Sequence, residues 1–219
     1  MAARRRRRGD EPAEAEVVDV PDDDGDEGEP RRCFVAVRPP EDVVEVLAAR
    51  VDAASRHLPG VRWVDPEQWH VTIKFLGDII DVHGVARVLR DLSQLEPFRV
   101  RLGGAGAFPT WTNARTVWAG VERGSERLAR LSRSVDRLLD DPLAAGTLRR
   151  AMQRPFLPHL TLARAPQSVD ARMFLARMGA EAHGEAFDVD SVTLFESQPG
   201  RGGRRYVPLA VAPLLGRFL

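Results

Sequence analysis

Lysine is almost missing from this chain of 219 residues: Lys74 is the only one among 32 basic side chains. Such a bias toward arginine is a matter of coding composition and says little about mechanism. Cysteine is equally scarce. Cys33 stands alone, which excludes an intramolecular disulfide and leads us to expect a reducing, cytoplasmic setting. No apolar run approaches the ~20 residues that a membrane-spanning helix requires, so no membrane association is expected. The basic start lacks the apolar stretch and cleavage site of a secretory signal. Two familiar motifs are also missing. The glycine-rich LGGAGAF at 102–108 leads into a strand with no GK[ST] after it, so it is not a phosphate loop, and no HExxH spacing offers a zinc site.

The first 32 residues differ from the rest. Five arginines at 4–8 precede EPAEAEVVDVPDDDGDEGEP, a stretch with few apolar residues and no periodicity. Such a segment cannot bury enough surface to offset its conformational entropy, and a disordered tail is expected over 1–32, with the domain occupying 33–219. The tail holds 7 basic and 11 acidic residues, leaving 25 and 21 in the domain. A mildly basic domain is compatible with an anionic substrate but does not require one.

What is present, and present twice, is the pattern His-x-Thr-x. It occurs as His70-Val71-Thr72-Ile73 and as His159-Leu160-Thr161-Leu162. With five histidines and seven threonines in 219 residues, two such coincidences arise by chance in roughly 1 of 100 such chains. Both lie in runs that alternate in period two, as strands do. Alternation puts His and Thr of each motif on one face and their apolar neighbours on the other. Two such units facing each other would surround a small polar cavity with two proton carriers and two hydroxyl donors. Histidine titrates near neutrality and can act as acid or base, while the hydroxyls can donate to charge growing on a phosphate. A bell-shaped pH profile with limbs flanking neutrality is therefore expected. His57, His83 and His183 sit before Leu-Pro, Gly and Gly, in turn-like contexts that suggest surface positions.

Elsewhere the pattern predicts a buried strand over 32–40, a helix over 41–60, strands at VRWV and WHVTIKFLG, and a helix near 81–96. FRVRLGGAGAFPT and ARTVWAGVE read as paired strands around a glycine-rich bend. A helix follows over 125–141, then the second motif strand, a short helix near 168–179, and the strands FDVDSVTLFESQ and RRYVPLAVAP. Short strands with sequential links and helices on one side indicate an α+β fold.

At RCFVAVRPP, WHVTIKFLG, ARTVWAGV, PFLPHLTLAR and LFESQPGRGGRRYVPL the chain resembles the 2H phosphoesterase superfamily. Within it, the resemblance is to the RNA 2′,3′-cyclic phosphodiesterases once described as 2′-5′ RNA ligases, and it covers essentially 32–219. It implies a bilobal, pseudo-two-fold arrangement in which two antiparallel sheets line a central cleft, with helices outside and no metal or cofactor. It also implies action on RNA or oligonucleotide ends with a 2′,3′-cyclic phosphate, His70 as proton donor to the 3′ oxygen and His159 as acceptor from water; a monomer is expected. Arg164 matches a family arginine that approaches the phosphate. Strict alternation would put it opposite His159, so that role requires the strand to end or bend. Alternation places Lys74 on the His70 face, where it would add positive charge. It places Phe75 with Ile73 in the core, although Phe75 and Phe156 are also the candidates to stack on a base. Arg115 and Tyr206 match family positions and suggest structural roles. A metal hydrolase, a non-catalytic RNA-end-binding module, and an enzyme acting on 2′-5′ linkages or ADP-ribose cyclic phosphate remain open alternatives from the residues alone.

Overall fold

In the computed structural model the described residues are 29–139, 156–200 and 203–216. Most of the expected charged tail, 1–28, lies outside them. The elements in chain order are β1 (Arg31–Val37), α1 (Glu41–Ser55), β2 (Arg62–Trp63), β3 (Val71–Ile79), α2 (Val82–Leu89), β4 (Phe98–Thr110), β5 (Asn113–Arg123), α3 (Ser125–Leu139), β6 (His159–Val169), α4 (Arg172–Met178), β7 (Phe187–Val189), β8 (Ser191–Gly200) and β9 (Gly203–Pro213). The first strand thus takes in Arg31 and Arg32, just before the expected domain boundary.

The α+β architecture expected from the pattern is observed. The strands run β7-β4-β5-β6-β3-β1-β8-β9, with β2 lying against β6. Every pairing is antiparallel. Four strands stand on each side of the β6–β3 junction, and each arm contains a strand–helix–strand passage, β1-α1-β3 on one side and β5-α3-β6 on the other. In place of the two separate sheets expected, the strands form one curled sheet whose two arms join at one β3–β6 residue pair, Val71 opposite Leu160. Both are buried, at 1% and 0% exposure.

All four helices cover one face. α1 buries Val43, Leu47, Val51 and Ala54 at helical spacing, with Glu41 and Asp42 at its positive end. α3 buries Leu128, Leu131, Ser132, Val135 and Leu139. These stripes and the inward residues of the strands make the main core. On the opposite face a small cluster of Phe34, Ala36 and Phe195, joined by Tyr206, lies under the site described below. Because the helices occupy only one face, the other is left open to a ligand.

Two expectations are corrected. The glycine-rich segment is not a bend: β4 runs through it, and the hairpin turns between Thr110 and Asn113. Gly104 instead takes a positive φ of 69° where the β4–β5 register shifts. Gly106 leaves room for the Trp118 ring, which a Cβ would meet at 2.2 Å. His183, expected at the surface, is fully buried. Its Nε2 donates to the Gly104 carbonyl at 2.8 Å, and its Nδ1 lies 3.3 Å from Arg50. Burial holds its pKa below the usual histidine range. It ties the loop after α4 to β4, a partnership that a local Gly-rich context conceals.

Candidate active site

The Val71–Leu160 pair decides the geometry of the site. In an antiparallel ladder that register sets His70 across from Thr161 and Thr72 across from His159. Directly opposed side chains come within about 5 Å at Cβ. Val71 and Leu160 point into the helix-side core, so both His-Thr pairs project from the open face, and all four are half-buried. The two motifs, 89 positions apart in sequence, form a single four-residue cluster.

Each imidazole is held the same way. Nδ1 of His70 lies 2.8 Å from the Gln68 carbonyl, and Nδ1 of His159 lies 2.8 Å from the Leu157 carbonyl. A carbonyl only accepts, so Nδ1 carries the hydrogen and Nε2 is the nitrogen free to exchange a proton. Buried Trp69 fixes the backbone just before His70, its indole donating to the Val64 carbonyl at 3.1 Å. Aromatic rings hem in both histidines. His70 stands 4.9 Å from Phe34 and edge-on to Tyr206 at 5.0 Å. His159 is edge-on to Phe108 at 5.2 Å and 5.8 Å from Trp118.

This enclosure has an electrostatic consequence. Burial pushes the His70 pKa down to about 4, with Arg164, Arg38 and His159 adding repulsion and the Gln68 hydrogen bond opposing. His159 is lowered as well, by burial first and by Arg164 after it. Burial thus disfavours the charged form of both histidines in the free protein. The cavity beside His70 is narrow and lined by Arg38, Glu67, Gln68, Phe195 and Tyr206. A larger hollow between the start of β4 and the first turn of α3 contains neither motif.

Strict alternation fails at the same place in both motifs. In β3, Thr72 pairs with Ala36 and Lys74 with Val35, so Ile73 is an extra residue. In β6, Thr161 pairs with Trp118 and Ala163 with Val117, so Leu162 is an extra residue. A bulge adds one residue to one strand and reverses every later side chain. Phe75 and Arg164, each five positions beyond its motif histidine, are thereby brought onto the open face. Phe75 is 61% exposed and its ring stands 6.2 Å from Phe34. Arg164 is exposed, and its charge reaches both imidazoles. Lys74 is turned the other way and forms an ion pair with Asp136 on α3, so the expectation that it shares the His70 face is corrected. Phe156 is half-buried and packs against the main core. Tyr206 braces His70, and Arg115 is exposed on β5.

Each bulge is pinned through its own carbonyl. The buried Ser132 hydroxyl on α3 donates to Ile73 at 3.0 Å, and the Val64 amide donates to Leu162 at 2.8 Å. Ser132→Ala removes this donor to the Ile73 carbonyl and is expected to lower unfolding free energy by about 1–3 kcal/mol. Asp136→Ala, at a half-exposed ion pair, should cost less than about 1 kcal/mol. Denaturant unfolding of the two variants measures both, and equal small losses would show that Ser132 does not secure the bulge. A serine within the apolar stripe of α3 was the sequence signal for this residue. Phe34 and Trp118 carried none, because each reads as ordinary strand filling.

Comparison with known proteins gives consistent results. Residues 33–201 match the family model described as the 2′-5′ RNA ligase superfamily. An RNA 2′,3′-cyclic phosphodiesterase of Aquifex aeolicus is 33% identical over 107 residues, 47% of this chain and 54% of the relative, so the match spans about half of that protein. One from Archaeoglobus fulgidus is 32% identical over 160 residues, 70% of this chain and 84% of the relative. The crystal structure of TT0787 from Thermus thermophilus superposes with a TM-score of 0.66 at 32% identity, covering 85% of this chain and 100% of that one.

Proposed function

The chain belongs to the 2′-5′ RNA ligase superfamily, and from that premise we propose that it hydrolyses RNA 2′,3′-cyclic phosphate ends to 2′-phosphates, using His70 and His159 as a metal-independent acid–base pair. The observation that carries this reading is the Val71–Leu160 register, which brings two distant motifs into one cluster in which, among the described residues, neither Nε2 has a hydrogen-bond partner. Relatives bearing the name RNA 2′,3′-cyclic phosphodiesterase support the substrate class.

In the proposed reaction water attacks phosphorus while His159 takes its proton. The bond from phosphorus to the 3′ oxygen breaks, and His70 delivers a proton to that oxygen. The products are a 2′-phosphomonoester and a free 3′ hydroxyl, and proton exchange with solvent restores the starting state. Because burial favours neutral His70 in the free protein, its proton is retained only when the anionic substrate is bound, since a nearby negative charge raises an imidazole pKa. Thr72, Thr161 and Arg164 donate to the non-bridging oxygens, and Phe75 offers a face for the terminal base. Among the described residues no group of three or more His, Cys, Asp or Glu is placed to hold a metal ion, and no helix is long and apolar enough to cross a membrane.

The direct test is incubation with a nucleoside 2′,3′-cyclic phosphate in excess EDTA, with the product phosphate located by phosphorus NMR. A 2′-phosphate formed at an undiminished rate is expected. Loss of turnover on chelation, restored by a divalent ion, would overturn the metal-independent mechanism. Thr72→Ala and Thr161→Ala should each weaken transition-state binding by about 1.5–3 kcal/mol, the value of one hydrogen bond to a charged group.

A further inference from the structure

Beside Arg164 the sheet places a second arginine. Arg62 on β2 is the direct cross-strand partner of Arg164 on β6, so the two side chains leave the same face of the sheet. Both are exposed, and among the described residues neither side chain has an ion pair or a hydrogen bond. Like charges directly opposed across a ladder destabilise it, and nothing described nearby offsets them. An anion between the two guanidinium forks would. β3 and β2 approach the same edge of β6, β3 at Leu160 and β2 at Ala163 and Arg164. Arg62 therefore lies roughly 10 Å farther along that edge than His70, at ~3.3 Å per strand residue. Arg164 acts on both imidazoles, whereas Arg62 is not among the charges that shift either one. Its position is thus one step outside the reacting phosphate.

We propose that Arg62, together with Arg164, forms a second phosphate subsite that takes the phosphodiester joining the terminal nucleotide to its 5′ neighbour, so that the site favours RNA ends over free nucleoside cyclic phosphates. The identity of the ligand rests on the function proposed above, but the subsite can be tested without turnover.

The experiment compares the full chain with Arg62→Gln and Arg62→Lys by calorimetric titration with two product-like probes, a nucleoside 2′-phosphate and a dinucleotide ending in a 2′-phosphate. The wild-type chain should bind the dinucleotide about tenfold more tightly, the value of one charge-assisted contact. Arg62→Gln should remove that advantage and leave mononucleotide binding unchanged, with Arg62→Lys between them. The slope of log affinity against log salt for the dinucleotide should fall by about 0.7, one phosphate contact on a single strand. Equal binding of both probes by the wild-type chain, or equal weakening of both in Arg62→Gln, would overturn the subsite. Absence of cyclic phosphate turnover alongside a retained dinucleotide advantage would overturn the proposed reaction and leave the subsite standing.

Discussion

His70→Ala and His159→Ala are each expected to lower kcat by at least 10²-fold, since a positioned proton-transfer group contributes about 10²–10⁴-fold. The double variant falls no further than the worse of the two, because groups that act as one unit are not additive. The measurement is steady-state turnover of a 2′,3′-cyclic nucleotide by variants shown to be folded. Near-normal turnover by either single variant ends the two-histidine mechanism. The pH profile of the wild-type chain is the accompanying observation. The proposed mechanism requires one histidine protonated and one neutral, so the rate should fall below the lower pKa and above the upper one. Burial lowers both, His70 to about 4. The bell for kcat/KM, which reports the free protein, should therefore lie on the acid side of neutrality. The bell for kcat should lie at higher pH, because the bound anion raises both values.

Arg164→Ala is expected to produce the second large effect. Removal of one preorganised donor to a developing oxyanion costs about 10²–10³-fold in kcat. A loss of that size is expected together with a displaced pH profile. The guanidinium charge depresses both histidines, so its removal raises both pKa values and moves the acid limb of kcat/KM to higher pH. Arg164→Lys keeps the charge and loses the fork, so it should recover the pH profile more fully than the rate. A variant that loses activity with an unmoved profile would show that Arg164 acts away from the imidazoles.

The sequence by itself determined the class of fold and singled out the candidate site residues. His70, Thr72, His159 and Thr161 were legible because the motif repeats within two strands of clear alternation, and the α+β pattern followed from helical stripes such as Val43-Leu47-Val51 set between those strands. That the motifs meet was legible only through the resemblance. Their register was not, because Val71 opposite Leu160 is a pairing across 89 residues, and no local pattern encodes which residue of one strand faces which of another. The tertiary structure also decided which neighbours join the site. Period-two alternation assumes one residue per step, while Ile73 and Leu162 each add a residue that the partner strand lacks. The carbonyls of those two residues are held by Ser132 and Val64, donors that come from other elements of the chain. The insertion exchanges Lys74 for Phe75 on the open face and carries Arg164 round to His159, where packing and not propensity fixes the outcome. Burial acted in the same way on His183, which a glycine neighbour made look superficial and which the loop after α4 encloses against β4.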